Sequence, residues 1–369
     1  MTNIDFIYFD AGGGHRSAAT ALKNVIEQQE RPWNVRLVNL QEVLHSLDVF
    51  RKVTGIRLED IYNHMLAKGW TLGSAQGLLF MQGVVRMFHG PTTKLLSRYW
   101  LESKPDMVVS LVPNFNRTMY DGLRAVLPNV PYVTVLTDFA DYPPHFWMEK
   151  QDQYFICGTR KAVEQARSLG HPDAHIFRTS GMILRPSFYQ PVTVDRAAER
   201  VRLGLDPEKA IGLVLFGGQG SKVMLEIDRL LDETQLIFVC GKNTSLAEKL
   251  RARPSRAKRF IEGFTSEIPY YMYLSDFFIG KPGPGSISEA VAMKLPVIVE
   301  RNLWTLPQER YNADWVLEQG AGLVLPNFGH VKEAAGRLLA SLDEYRANVE
   351  KIENRAVFEI VDILGMIVK

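Results

Sequence analysis

An α/β fold of two Rossmann-like, doubly wound lobes facing a common cleft is what this sequence predicts, and three observations predict it. Short apolar runs bounded by turn residues alternate with longer stretches of helical period, the signature of parallel strands joined by crossover helices. The chain has 369 residues, more than twice the roughly 150 of a common single domain. Each half also opens on the same device, a strand running into a glycine-rich turn and then a helix, which suggests one lobe per half.

Taken in order, the strand-like runs of the first half are residues 5–9, 35–39, 107–111, 132–136 and 154–157. Those of the second half are 213–216, 236–239, 277–279, 297–299 and 322–325. Between the halves, residues 182–207 carry Pro186, Pro191 and Pro207 among polar residues and read as an exit loop, a linker and a first helix. The division is expected near residue 190, giving lobes over 1–190 and 191–345. Helical spacing of Val349, Ile352, Val357, Ile360, Val361 and Leu364 predicts a last helix near 345–369.

Composition narrows the function classes. Lys and Arg total 43 against 41 Asp and Glu, a formal charge of +2, so no basic surface large enough for a nucleic-acid partner is expected. The 2 cysteines, Cys157 and Cys240, form no CxxC pair. That excludes a disulfide framework or a structural zinc site and fits a reducing cytoplasm. No basic-then-apolar leader and no run of roughly 18 apolar residues is visible, so neither secretion nor a membrane span is expected.

Three loops carry the chemistry. In the first, Asp10-Ala11-Gly12-Gly13-Gly14-His15-Arg16-Ser17 follows a strand and opens a helix with Ala18, Leu22, Val25 and Ile26 on its apolar face. Glycine lets a ligand approach the backbone, and the helix N-terminus presents unpaired N–H groups to an anion. The spacing is neither that of a P-loop nor GxGxxG, which argues against NTP hydrolysis and NAD chemistry. The second loop, Phe216-Gly217-Gly218-Gln219-Gly220-Ser221, repeats the device. The third, Gly280-Lys281-Pro282-Gly283-Pro284-Gly285-Ser286-Ile287-Ser288-Glu289, leads into a helix on which Glu289 could accept from a ribose diol or simply sit solvated near the dipole. Downstream, Gln308, Glu309 and Asn312 lie within one turn, where they could meet sugar hydroxyls together.

These segments, with Gly263-Phe264 and the Gln308-Glu309-x-x-Asn312-Ala313 run, resemble the glycosyltransferases with two Rossmann-like lobes, known as the GT-B fold. The resemblance is strongest to the monogalactosyldiacylglycerol synthases and the processive diacylglycerol glucosyltransferases. It covers nearly the whole chain, including residues 62–71 and Thr137-Asp138-Phe139 followed by His145 and Trp147. It implies transfer of a hexose from a UDP-sugar, with inversion, onto a lipid hydroxyl such as that of diacylglycerol. Uracil would lie near Phe264 and the backbone around Ile268, and ribose on Glu289. Diphosphate would lie on Gly217, Gly218, Gly220 and Ser221, and on Gly285 and Ser286, while Gly13 and Gly14 of the first loop would border the donor. The hexose would meet Gln308, Glu309 and Asn312. The resemblance also implies an N-terminal lobe facing acceptor and membrane, a C-terminal lobe binding the nucleotide sugar, and a helix over 346–369 packing back on the N-terminal lobe.

No Asp-x-Asp pair occurs in the chain, so no metal or other cofactor is expected, and helix dipoles would stabilise the leaving diphosphate. The acceptor hydroxyl needs a base. His15, which titrates nearest neutral pH, ranks before Asp138, which could orient the imidazole or act itself. His145 and Trp147 would shape the acceptor site, unless Trp147 only closes its loop. Residues 51–104 combine Lys68, Arg86 and Lys94 with Trp70 and Phe88, a basic amphipathic surface suited to an anionic membrane or else an ordinary helical core with a solvated face. The protein is expected to be cytoplasmic and peripheral on the inner face of the cell membrane. A soluble-acceptor transferase, a nonhydrolysing sugar-nucleotide epimerase and an inactive carbohydrate-binding protein remain as alternatives. The choice among galactose, glucose and N-acetylglucosamine stays open.

Overall fold

A computed structural model describes residues 1–9, 14–45, 82–83 and 85–368. Gly13, Lys68 and Trp70, expected above at the donor and membrane sites, lie outside them. The chain forms two compact units. The first is Met1–Pro186 with Leu306–Gln308 and Arg355–Lys369, and the second is Ser187–Thr305 with Glu309–Asn354. The chain therefore divides four residues before the expected boundary near 190.

The first unit holds a six-stranded sheet in the order β2-β1-β3-β4-β5-β6. Its strands are β1 (Thr2–Tyr8), β2 (Trp33–Asn39), β3 (Met107–Ser110), β4 (Tyr132–Val135), β5 (Tyr154–Cys157) and β6 (Ile176–Arg178). The second unit holds a sheet in the order β12-β11-β10-β7-β8-β9. Here the strands are β7 (Ile211–Leu215), β8 (Gln235–Val239), β9 (Arg259–Glu262), β10 (Phe277–Gly280), β11 (Val297–Glu300) and β12 (Gly322–Leu325). Every pairing is parallel. Helices cover such sheets, so central strands such as Met107-Val108-Val109-Ser110 and Ile211-Gly212-Leu213-Val214-Leu215 are buried at every position.

Two strands escape the sequence reading. β6 and β9 are edge strands of three and four residues with no buried position. Unlike the edges β2 and β12, they bury no position and need no apolar run, so periodicity leaves no mark there.

The expected continuous helix over 345–369 is two helices, Leu342–Glu350 and Ala356–Ile367. Lys294 Nζ donates to the carbonyls of Glu350 and Ile352 at 3.3 and 3.1 Å, which satisfies the end of the first helix in the second unit. In the first unit, Arg355 N and Glu359 both engage Ser180, at 2.7 Å for the Arg355 N–H to Ser180 Oγ. The terminal helix then packs on the helix Gly14–Gln28, with Arg31 paired to Asp362. Residues 346–350 thus stay with the second unit, and the returning helix begins ten residues later than expected.

Candidate active site

In an open parallel sheet, ligands bind beyond the carboxyl ends of the strands where the winding reverses. The second unit reverses between β7 and β10. The glycine turn after β7 and the Gly280–Gly285 loop after β10 both emerge there. Lys281 Cε lies about 4 Å from the position a Cβ on Gly217 would take. Around Gly218 and Gly285 a Cβ would meet nothing within 4 Å, so the backbone at both stands open to a ligand. Gly283 caps the helix Pro284–Ala292 without a side chain, and the helix Val223–Leu230 likewise lacks a side-chain cap. Ser221 Oγ accepts from Val223 N at 3.3 Å.

The turn is held from behind by Gly241, which the sequence reading did not single out. It has φ +60°, and a Cβ there would stand 2.3 Å from the Gly218 carbonyl oxygen. That carbonyl accepts from Lys242 N at 2.9 Å. Gly220, at φ +60°, is pressed in the same way against the Cys240 carbonyl. These two positions admit only glycine because both the backbone angle and the space exclude a side chain.

The remaining donor-side residues fall into three groups. Phe264 is 67% exposed, with Lys242 Nζ 5.5 Å from its ring centroid; an exposed ring with a cation beside it is a platform for stacking. Ile268 begins the helix Ile268–Leu274, with its side chain buried. Glu289 lies in the second turn of its helix, half-buried, rather than in the first turn that the dipole favours. Glu309 is only 8% exposed and accepts from Lys281 Nζ at 3.1 Å. Lys281, overlooked in the sequence, thus brings a positive charge to the glycine turn after β7. Asn312 is fully buried and donates Nδ2 to the Pro282 carbonyl at 2.8 Å, bracing the loop. Its Oδ1, and Oε1 of Gln308, are buried and unpartnered, which marks both as side chains with acceptor capacity to spare.

The first unit reverses between β1 and β3, and there the described residues contribute side chains. His15 opens the helix Gly14–Gln28 just beyond β1, and a Cβ on Gly14 would meet nothing within 4 Å. His15 Nδ1 lies 3.1 Å from Thr137 Oγ1, after β4. Loss of surrounding water pushes the imidazole pKa down to about 4, against the pull of the Leu111 backbone at the end of β3. The ring is therefore neutral at neutral pH, as an acceptor of protons must be.

Trp147 is 1% exposed, which corrects its expected role at the acceptor or membrane surface. It donates Nε1 to Asp138 Oδ2 at 2.9 Å, and its ring centroid lies 6.1 Å from that of His15. Trp147 is a wall that holds Asp138 and backs the imidazole, and Asp138 itself is buried. Asp141, missed in the sequence, pins the loop by accepting from the backbone N–H groups of Trp147 and His145 at 2.6 and 3.1 Å. Burial pushes its pKa up to about 6. Its signal would have been an acid followed four to six residues later by two aromatic rings, too common a pattern to read.

His145 is exposed and lines one cavity with Arg86, His89, Asn114, Arg117 and Glu149. The structure thereby brings together two residues expected at the acceptor side, His145 and Arg86. Burial raises the Glu149 carboxyl, while Arg117, His145 and Arg86 pull it down. Lys94 is exposed on the helix His89–Ser103, whose Thr92, Leu96 and Trp100 face the core. Both cysteines are buried, with thiol pKa values pushed up to about 12 for Cys157 and 11 for Cys240; neither is a nucleophile. Among the described residues no group of three or more His, Cys, Asp and Glu is placed to hold a metal ion. No helix among them is long and apolar enough to cross a membrane.

No protein-family model matches the chain. By sequence it is 26% identical over 385 residues to the probable monogalactosyldiacylglycerol synthase 2, chloroplastic, of Oryza sativa subsp. japonica, covering 97% of this chain and 79% of that relative. By structure it is similar to MurG from Acinetobacter baumannii, with a TM-score of 0.65 at 13% identity over 99% of this chain and 100% of that one. The UDP-GlcNAc 2-epimerase from Neisseria meningitidis, bound to UDP-GlcNAc, gives a TM-score of 0.61 at 13% identity with the same coverage. The fold is that of the two-lobed GT-B glycosyltransferases, and fold and relatives together define the class as a sugar-transferring enzyme. Within that class its curated relatives are monogalactosyldiacylglycerol synthases, at 25–28% identity over most of the chain.

Proposed function

We propose that the protein transfers a hexose, galactose or glucose, from a UDP-sugar to diacylglycerol or a similar lipid hydroxyl at a membrane surface, inverting the anomeric carbon. The observation that carries the donor half is the open backbone at Gly218 and Gly285 beside Lys281. The helix end at Gly283, which no side chain caps, and an ammonium there suit a diphosphate. In this reading no metal is needed, uracil stacks on Phe264, ribose meets Glu289, and the hexose meets Gln308 and Glu309. Asn312 braces the Gly280–Gly285 loop through the Pro282 carbonyl.

The lipid hydroxyl attacks the anomeric carbon as its bond to the diphosphate oxygen breaks. The bonding pair leaves with UDP, and the hydroxyl proton passes to the neutral His15 imidazole. Thr137 fixes the ring, while Trp147 and Asp138 form the wall behind it. The cavity of Arg86 and His145 suits the polar end of the acceptor or a neighbouring lipid phosphate. The protein would work in the cytoplasm, peripheral on the inner face of the cell membrane.

The test is incubation with UDP-galactose, UDP-glucose or UDP-N-acetylglucosamine and diacylglycerol vesicles, with products read by mass and the anomer by NMR. A β-linked glycolipid formed equally with and without chelator is the expected result. Conversion of the UDP-sugar to its epimer without lipid, or transfer only to water-soluble acceptors, would overturn it.

A further inference from the structure

The loop between β11 and the short 3-10 turn Pro307–Glu309 presents two adjacent apolar side chains to solvent, Leu303 at 82% and Trp304 at 55% exposure. This is a braced display rather than a loose loop. Asn302 Oδ1 accepts from Trp304 N at 2.8 Å, Asn302 N donates to Thr305 Oγ1 at 2.9 Å, and Asn302 Nδ2 reaches the Pro326 carbonyl at 3.1 Å. Arg310 donates Nε to the Thr305 carbonyl at 3.3 Å and Nη2 to that of Leu303 at 3.4 Å. The polar groups of Asn302 and Thr305 are thus turned onto the loop itself, and beside the exposed Arg301 a leucine and an indole stand outside.

Charge selects the partner. Arg301 is neutralised by Asp314 at 2.8 Å, but Arg310 has no carboxylate partner among the described residues. The loop therefore offers an aromatic and an aliphatic anchor with one uncompensated cation directly behind them, the combination that suits the headgroup boundary of an anionic bilayer. We infer that Leu303 and Trp304 insert into the membrane interface, so that the second unit makes its own contact with the lipid surface. The inference rests on the lipid-acceptor reading for the identity of the surface. It explains why the anchors stand immediately before Gln308 and Glu309: insertion brings the hexose-bearing turn to the depth at which a diacylglycerol hydroxyl lies.

The test reads binding rather than activity. Full-length protein is mixed with vesicles of phosphatidylcholine and phosphatidylglycerol, some with brominated acyl chains, and tryptophan quenching and sedimentation are measured. The wild type is expected to be quenched. Trp304→Phe is expected to lose most of that quenching while still sedimenting. Leu303→Ser with Trp304→Ser is expected to bind at least about tenfold more weakly, the loss of two interfacial anchors. Unchanged binding by the double variant, or quenching that survives in Trp304→Phe, would overturn the inference. So would a dimer in sedimentation velocity that dissociates in the double variant without any effect on vesicle binding, because the patch would then cover a second copy of the chain. Glycolipid formation from detergent-dispersed diacylglycerol separates the two readings: if it persists while vesicle binding ignores both residues, the insertion fails and the lipid acceptor stands. Lost vesicle binding with no glycolipid under any condition would be the reverse.

Discussion

The two units share a plan and differ in what they build on it. At the β7/β10 reversal the site is made of backbone: Gly218 and Gly285 stand open, and Gly241 and Gly220 press the turn into shape. At the β1/β3 reversal the described residues contribute side chains: Thr137 on His15, Trp147 on Asp138, and Asp141 on the loop that carries Trp147. The difference follows from the chemistry each is proposed to do. A diphosphate is held well by N–H groups and helix ends that never change charge. A proton transfer needs a titratable group in one orientation, and only a side chain supplies that.

Substitutions break this comparison in different ways. The largest effect is expected for His15→Ala, which should cut glycolipid turnover by about two to four orders of magnitude. UDP affinity by calorimetry should stay near wild type. A parallel loss of UDP binding would mean that the first unit holds donor as well as base. Next comes Gly241→Ala, where a Cβ would meet the Gly218 carbonyl at 2.3 Å in a left-handed backbone. It should lower stability by about 3 kcal/mol in denaturant melts and weaken UDP binding. Unchanged stability would show that the turn is softer than its contacts imply. Glu289→Ala should weaken UDP by about 1–3 kcal/mol, the loss of one charge-assisted acceptor. Unaltered affinity would remove it from the ribose.

The smallest expected effect is a signal that does not move. With its pKa pushed down to about 4, the His15 ring should show no titration by NMR between pH 8 and 5, and a midpoint near 6.5 would contradict the burial. Between 6.5 and about 4 the unfolded chain holds a proton that the native ring lacks, so this group's stabilisation is full above 6.5 and fades as pH falls. Asp141, raised to about 6, works in the opposite sense: its carboxyl is protonated more readily when folded, so its contribution falls as pH rises from about 4 to 6. The two slopes oppose each other, which is why residue-resolved titration rather than a melting curve reads them.

Much of this was legible without coordinates. Ten of the twelve strands announce themselves as apolar runs, the central ones because a strand buried on both faces of a parallel sheet has no room for polar residues. The two that do not, β6 and β9, are edge strands without a buried position, whereas the edges β2 and β12 each keep at least one. The glycine turns at 217–220 and 283–285 were legible for a related reason: a left-handed backbone angle or an open backbone needs glycine in the sequence itself. Gly241 was not, because its requirement comes from Gly218, a neighbour that only the pairing of β7 with β8 brings near.

Sequence alone determined the fold class and the glycine turns of the second unit, since each is written in local residue types and spacing. Tertiary structure decided the rest. It turned Trp147 from a surface contact into a buried wall for Asp138, gave Glu309 to Lys281 and Asn312 to Pro282, and split the last helix at 351–355. The physical reason is the same in each case: a polar side chain or a helix end takes whichever partner satisfies its hydrogen bonds once water is removed, and the partners of these side chains lie from 9 residues away, for Trp147 and Asp138, to 30, for Asn312 and Pro282.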